Sequence, residues 1–354
     1  MHAVFSAPKA TDAQGLQVPT YLRADTTKNV LHLHIDHRNA GAAYPILADP
    51  VYLYWYVVRG VTYNVLGNGN QRAAQGYSAL FPAVTMANNI YAAYGQTWPT
   101  ADAVVGLQEI CTESLPTLQG QLSSRGLSTF SLHAQTVLVP LATGGYCHYG
   151  IATLWSSQYP YSASPSCVVR LPRDSGPQCD PNYLPGSGEP RRVQRIGISF
   201  PSAYLRTFNT HLMQPPIPPL QPVGGYQYWV NMPAEAVRDI VSSDSALNKM
   251  VMGDFNVGYG GQPCGPGGSD VYYNANSLYS FYPSGGLGLD DANSSHLHTF
   301  RCKPPPGTTT YTSQLDYIFD TQARVVNSAA GVFSFPAESD HDPFAVSMAV
   351  LLGN

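Results

Sequence analysis

Apolar and polar positions alternate with a period of two along much of the chain, which predicts half-exposed strands. Residues 30–36 (Val-Leu-His-Leu-His-Ile-Asp) show the alternation plainly. Residues 51–66 form a nearly unbroken β-prone run, which predicts one long or two successive strands buried on both faces. Further strands are predicted at 104–109, 129–140, 148–155, 193–200, 203–212, 249–254, 314–319 and 344–352. Helical spacing marks 77–94, with a proline near its first turn, then 114–125 and 226–248. In the last of these Trp229, Met232, Ala236, Ile240 and Leu247 share one side. Strand, helix and strand over residues 51–109 imply a parallel crossover. The Pro-, Ser- and Gly-rich stretch 159–191 predicts a long surface loop, and 215–222 a rigid extended spacer. The Gly-rich stretch 258–268 lacks the lysine of a phosphate-cradling loop.

The pattern is β-dominated with a few helices. Two sheets packed face to face with helices on their outer faces satisfy it, an α+β architecture in four layers. No linker breaks the chain, so one main domain is expected. Residues 1–56 are harder to place and are expected to form a β-rich N-terminal extension packed on a catalytic domain at 57–354.

The chain has 354 residues, of which only 11% are charged and 44% hydrophobic, with a formal net charge of −4. The apolar fraction argues against disorder, and the charge excludes a whole-molecule positive field. Nucleic acid would therefore need a local basic patch or a metal. Arg191, Arg192 and Arg195 are the best such patch; otherwise they are a solvated strand entry. The six cysteines include no C-x-x-C pair. Few charges and an even cysteine count point to a disulfide-bonded, extracellular protein. Of the possible pairings, Cys167–Cys179 would close a short loop and Cys264–Cys302 a long one. No apolar run reaches the roughly 18 residues of a membrane span. The N-terminus shows no secretory signal pattern, so a secreted protein would have lost its signal.

Candidate chemistry sits at predicted strand ends. Glu109, Asp254 and Asp340 follow or interrupt apolar runs, and Asn64 and Asn256 accompany them. A buried carboxylate must be neutralised, paired or bound to a metal. A set rich in oxygen ligands selects Mg²⁺, Mn²⁺ or Ca²⁺ over zinc. His211 and His341 add groups that exchange protons near neutral pH, and Asp316 is placed to orient His341. Phosphodiester hydrolysis needs an activated water, charge neutralisation and a stabilised leaving oxygen, and this set supplies all three. Alternating His32 and His34 read more simply as solvent-facing strand residues than as metal ligands.

Six segments, in order, resemble the endonuclease/exonuclease/phosphatase superfamily, whose fold is that of deoxyribonuclease I. They are Tyr63-Asn64-Val65, Gln108-Glu109, Asn209-Thr210-His211-Leu212, Gly253-Asp254-Phe255-Asn256, Leu315-Asp316-Tyr317-Ile318 and Ser339-Asp340-His341. The resemblance implies roles. Glu109 is the principal metal ligand, with Asn64 and Asp340 beside it. Asp254 positions or activates the attacking water, and Asn256 donates to the phosphate. His341, oriented by Asp316, contacts the phosphate or moves a proton, and His211 assists the leaving oxygen. Cys264 and Cys302 fall where secreted nucleases carry a disulfide. Two departures stand out: no acidic partner of His211 is evident, Glu113 being a guess, and Ile110-Cys111-Thr112 replaces an arginine that some nucleases use on DNA. A secreted, Mg²⁺-, Mn²⁺- or Ca²⁺-dependent nuclease acting on DNA or RNA is the first expectation. A sphingomyelinase-type phospholipase C is the second, with Tyr52, Tyr54, Trp55 and Tyr56 as candidates to meet phospholipid. A non-catalytic toxin subunit or binding module is the third. Oligomeric state is not legible.

Overall fold

The computed structural model describes residues 3–5, 9–25, 30–38, 41–49, 52–66, 82–94, 102–141, 144–156, 167–171, 191–200, 203–212, 234, 237–246, 248–256, 289–292, 299–301, 312–321, 325–332, 339 and 341–351. The chain divides into two compact units, residues 1–56 with 351–354, and residues 57–350. In the first unit β1 (Ala3–Phe5) pairs with residues 52–54, and β2 (Lys9–Thr11) lies between β3 (Gln17–Val18) and β6 (Leu47–Asp49). A separate ribbon joins β4 (Thr20–Asp25) to β5 (Val30–Ile35), the strand expected from the alternation there. Asp12 organises the turn after β2, accepting the backbone N–H groups of Gln14, Leu16 and Ala43. Those bonds, that from Ala43 first, hold its carboxyl below its ordinary value.

The run at 51–66 forms one long strand, β7 (Tyr52–Asn64). It pairs in parallel with β8 (Asp102–Cys111), and the helix Ala83–Ala93 lies between them in sequence, as the crossover requires. The proline is Pro82, at the N-cap, where its missing N–H is not needed. Beyond β8 lie the helix Leu115–Ser123 and the hairpin β9 (Thr129–Pro140) and β10 (Tyr146–Ser156). With β19 (Val325–Val332) and β20 (Phe344–Leu351) they make a sheet in the order β19-β20-β7-β8-β10-β9.

The second sheet runs β11 (Cys167–Leu171), β12 (Arg191–Phe200), β13 (Ala203–His211), β14 (Asn248–Asp254), β18 (Asp316–Thr321) and β15 (Leu289–Asp291). Its one parallel pair is β13 with β14. A short ribbon pairs β16 (Phe300–Arg301) with β17 (Thr312–Ser313). β11 corrects the expectation of an unbroken loop over 159–191: Cys167-Val-Val-Arg-Leu171 is β-prone and finds an open edge on β12. Residues 237–243 are helical, and the expected helix over 226–248 ends before Asp244.

Alternation decides which side of each sheet is apolar. Val61 and Tyr63 of β7 and Val65 just beyond it, with Val105 and Leu107 of β8, pack under Met86, Ile90, Leu118 and Leu122 of the two helices. Phe208, Val251, Tyr317 and Phe319 pack under Val237, Ile240 and Val241 in the same way. The intervening residues of both sheets face each other across a buried polar seam. Gln108 Nε2 donates to Asn209 Oδ1 at 2.7 Å, and Asn209 Nδ2 donates to the Ala152 carbonyl at 2.9 Å. Thr153 donates to Gln194 at 2.6 Å. Such groups are tolerated because each bond is made; one deleted partner would leave a buried polar atom costing about 1–3 kcal/mol. The result is the expected four-layer α/β/β/α sandwich.

Candidate active site

The same alternation delivers the site. On β7 the positions facing the seam are Thr62 and Asn64; on β13 they are Thr207, Asn209 and His211; on β14, Met252 and Asp254; on β18, Asp316 and Ile318. Two parallel pairs end together here: Asn64 stands in register with Gln108, and His211 with Asp254. Gly253 permits the last pairing. Its φ is 151°, and a Cβ would lie 2.0 Å from the Thr210 carbonyl oxygen. Phe255, flanked by Asp254 and Asn256, is fully buried edge-on against Tyr317 and Phe319, at 5.7 and 5.6 Å between centroids. Losing such a ring costs about 3–5 kcal/mol, so the two polar neighbours are held by the core.

Glu109 breaks the alternation. A strict strand would turn it toward the helices, beside Leu107. Instead β8 carries one extra residue: Ile110 and Leu107 face Gly150 and Ala152, and Glu109 adopts φ 59°. A bulge of this kind re-aims a side chain, and Glu109 accompanies Gln108 into the cleft.

The groups converge tightly. Asn64 Nδ2 donates to Asp254 Oδ2 at 2.8 Å and to Glu109 Oε1 at 3.1 Å. His211 Nε2 stands 3.6 Å from Asp254 Oδ2 and 3.8 Å from Glu109 Oε1. His341 Nε2 stands 3.6 Å from the same Asp254 oxygen, while its Nδ1–H donates to Asp316 Oδ2 at 2.8 Å. Asp316 therefore fixes the ring so that Nε2 faces the cleft. Asp316 is held in turn by Thr299 Oγ1, which accepts from the N–H groups of Leu315 and Asp316 at 3.0 Å each. Ser339 Oγ donates to the Asn64 carbonyl and accepts the His341 N–H, tying the segment that carries His341 to the end of β7.

Burial is the largest influence on Asp254 and drives its pKa up to about 7, with the Asp316 charge adding to it; His341 and the Asn64 amide oppose. A carboxyl this short of positive charge, beside a second carboxylate, is a place for a cation. Glu109 and Asp254 offer hard oxygen donors, which fit Mg²⁺, Mn²⁺ or Ca²⁺. Asp254, Asp316 and His341 also bring their ligand atoms within 4.8 Å of one another. Asn64 is turned with its NH2 toward both carboxylates and its oxygen accepting the Leu66 N–H at 3.0 Å. In this orientation it bridges the carboxylates; as a metal ligand its amide would have to rotate.

Of the residues singled out in the sequence, Asn64, Glu109, His211, Asp254, Asp316 and His341 meet in this cleft. Asn256 stands at its edge with φ 51°, its N–H on Asp254 Oδ1 and its NH2 on the Leu212 carbonyl. Asp340 lies outside the described residues, as do Cys179, Cys264 and Cys302 and the side chains of Tyr52, Tyr54, Trp55 and Tyr56. Glu113 does not orient His211: it binds the backbone N–H and ring Nδ1 of His148. The described disulfide, Cys111–Cys147, links β8 to β10, a pairing the spacing did not single out. Arg192 is not a solvated strand entry. It is 5% exposed and points into the seam beyond Gln194, on the strand next to His211, with its carbonyl accepting Thr210 Oγ1. Thr299 has no signal in the sequence; Arg192 could have been found from its even spacing to Gln194.

No protein-family model and no curated protein matches the chain. Solved structures do. An endonuclease/exonuclease/phosphatase from Beutenbergia cavernae is 19% identical, with 83% of this chain and 72% of that one covered and a TM-score of 0.57. A family protein from Bacteroides thetaiotaomicron is 16% identical over 84% of this chain and 99% of that one, with a TM-score of 0.58. TDP2 from D. rerio, complexed with a single-strand DNA product, is 15% identical over 82% and 98%, with a TM-score of 0.50. The chain has the fold of the endonuclease/exonuclease/phosphatase proteins, the fold its six motifs led one to expect.

Proposed function

We propose that this protein is a secreted, divalent-metal-dependent phosphodiester hydrolase acting on DNA or RNA. One observation carries the chemistry: His211 and His341, from different parts of the chain, both aim Nε2 at one oxygen of Asp254, beside Glu109. A binding module has no use for such a costly gathering of desolvated groups. The buried Arg192 near His211 and the DNA product bound by the D. rerio neighbour support nucleic acid. The buried Cys111–Cys147 disulfide supports an oxidising, extracellular setting.

The residues divide the work. Asp254, as carboxylate, orients a water and takes its proton as the water oxygen bonds to phosphorus. His341, braced by Asp316, donates from Nε2 to a non-bridging oxygen as charge grows there. His211, protonated, gives its Nε2 proton to the leaving oxygen as the P–O bond breaks. Asn256 helps to hold the phosphate. A Mg²⁺, Mn²⁺ or Ca²⁺ ion held by Glu109 with Asn64, and by Asp340 on the resemblance, would neutralise phosphate charge.

Plasmid nicking and RNA cleavage with Mg²⁺ or Mn²⁺ test this. Both should vanish with EDTA, with His211→Ala and with His341→Ala, and Glu109→Gln should need more metal. Absence of turnover on every phosphodiester, including bis(4-nitrophenyl) phosphate, sinks the enzyme assignment. A phospholipase C of sphingomyelinase type is a second reading, and one observation favours it: no Lys, Arg, Asp or Glu occurs between Arg125 and Arg170. Choline-phosphate release without nicking would decide for it.

A further inference from the structure

The uncharged stretch is not spread at random. β9 and β10 form a hairpin on the edge of the first sheet, closed by a Leu141 N–H bond to the Gly145 carbonyl. Both β8 and β9 run antiparallel to β10, so the tip lies at the same end of the sheet as Asn64 and Glu109. Gly150 stands opposite Ile110, and four residues at about 3.4 Å each carry Tyr146 roughly 14 Å further out. The hairpin therefore rises beside the mouth of the cleft.

Two bulges set its direction. One is in β8 at Glu109; the other is in β9, where Val137 and Gln135 face Tyr149 and Gly150. Gly150 sits between them, and a Cβ there would lie 2.1 Å from the Ala134 carbonyl oxygen. Past that point the Cys111–Cys147 disulfide fastens the hairpin to β8. Val139, Cys147 and Tyr149 pack inward with Cys111. Leu138, Pro140, Tyr146 and His148 point outward, Leu138 being 44% and Tyr146 60% exposed, while His148, opposite Leu138, is paired with Glu113.

An apolar tip held rigidly in water needs a reason. Polyanions are poorly served, since phosphate contacts come chiefly from Lys and Arg and the hairpin has neither. A stable protein partner would need roughly 800 Å² on each side, far more than three side chains present. A lipid surface suits it: short apolar side chains enter the acyl boundary, tyrosine rings settle at the headgroups, and the ionisable pair beside them, Glu113 with His148, is already joined to itself. We propose that the β9–β10 tip is an interfacial anchor that seats the cleft mouth on a zwitterionic lipid surface. The anchor goes beyond the hydrolase assignment and rests on it only for its consequence, that phosphodiesters presented at such a surface reach the cleft preferentially.

The test is flotation of the full chain with phosphatidylcholine vesicles, without turnover. The wild type should float with the vesicles, and Leu138→Ser with Tyr146→Ser should weaken binding at least about tenfold. Hydrolysis of soluble bis(4-nitrophenyl) phosphate and the melting temperature should be unchanged. Tyr146→Trp should bind at least as well, with its emission shifted to the blue on vesicles. A wild type that stays with the buffer, a double variant that binds like wild type, or a Tyr146→Trp variant whose emission does not move overturns the anchor. So does a double variant that keeps vesicle binding and loses nucleic-acid binding, which would give the tip to nucleic acid. If the double variant does not fold, the Tyr146→Trp emission decides alone. Vesicle binding without any phosphodiester turnover would instead remove the hydrolase assignment and leave the anchor standing.

Discussion

The two sheets bring their functional groups to the cleft by different means. Each holds a parallel strand pair, β7 with β8 and β13 with β14, and each of these pairs ends at the site. In the second sheet, ordinary alternation turns His211 and Asp254 to the seam, while Phe255 and Gly253 lock the ends. In the first sheet, Asn64 follows alternation but Glu109 does not: a bulge and a left-handed backbone must redirect it. His211 and Asp254, proposed to move protons, are thus a product of regular structure, and Glu109, the proposed main cation ligand, is a product of a local irregularity. Irregular backbone is held only by its surroundings, so cation affinity should be the more fragile of the two properties.

The largest effect should come from the second sheet. Asp254→Asn or His211→Ala should lower kcat/KM about 10³-fold or more, in the upper range for loss of a general acid or base. Added metal should not restore it. Glu109→Gln should cost less, about 10²-fold at low metal, and should recover part of the loss as Mg²⁺ or Mn²⁺ is raised. Calorimetric titration with Mn²⁺ would show weaker binding in Glu109→Gln and nearly normal binding in His211→Ala. If both variants lose cation affinity equally, the division between the sheets is wrong. A smaller effect belongs to Asp316→Asn, which keeps a partner for His341 Nδ1 but removes the charge. It should lower kcat about tenfold with KM unchanged and move the pH profile. A change in KM alone would make Asp316 merely structural.

The contrast also explains what could be read in the sequence. The strands of the core, the crossover helix and the layer order followed from period-two and helical spacing, which depend only on which face is buried. β11 and β19 were missed because their runs are short or polar and owe their pairing to a neighbour's open edge. His211, Asp254, Asp316 and His341 were legible because a desolvated polar group at the end of an apolar run demands a reason. The fixing of Glu109 was not, since neither bulge nor positive φ has a glycine to announce it. Thr299 and the Cys111–Cys147 pairing depend on contacts between distant segments, and nothing local encodes them.

The finest test exploits two opposite shifts, one in each sheet. His133 on β9 is held down to about 4, chiefly by burial, while it bonds Thr112 and the Ile110 carbonyl. Asp254 is pushed up to about 7, chiefly by burial. Asp254 has the raised pKa, so its contribution to stability is full below its unfolded value of 3.8 and is lost as pH rises through about 7. His133 has the lowered pKa, so its contribution is full above 6.5 and is lost as pH falls through about 4. Between those limits the two slopes oppose, each at most about 1.4 kcal/mol per pH unit. EDTA-treated protein should therefore show a nearly flat urea midpoint from pH 4.5 to 6.5 (roughly the shared window). Asp254→Asn should unmask the His133 slope, with stability rising with pH, and His133→Gln should unmask the Asp254 slope, with stability falling. Saturating Mg²⁺ should reverse the second case, because a cation that binds the ionised carboxylates stabilises the folded form more as pH rises. Parallel profiles for both variants would show that burial at the two sites does not act in opposite senses.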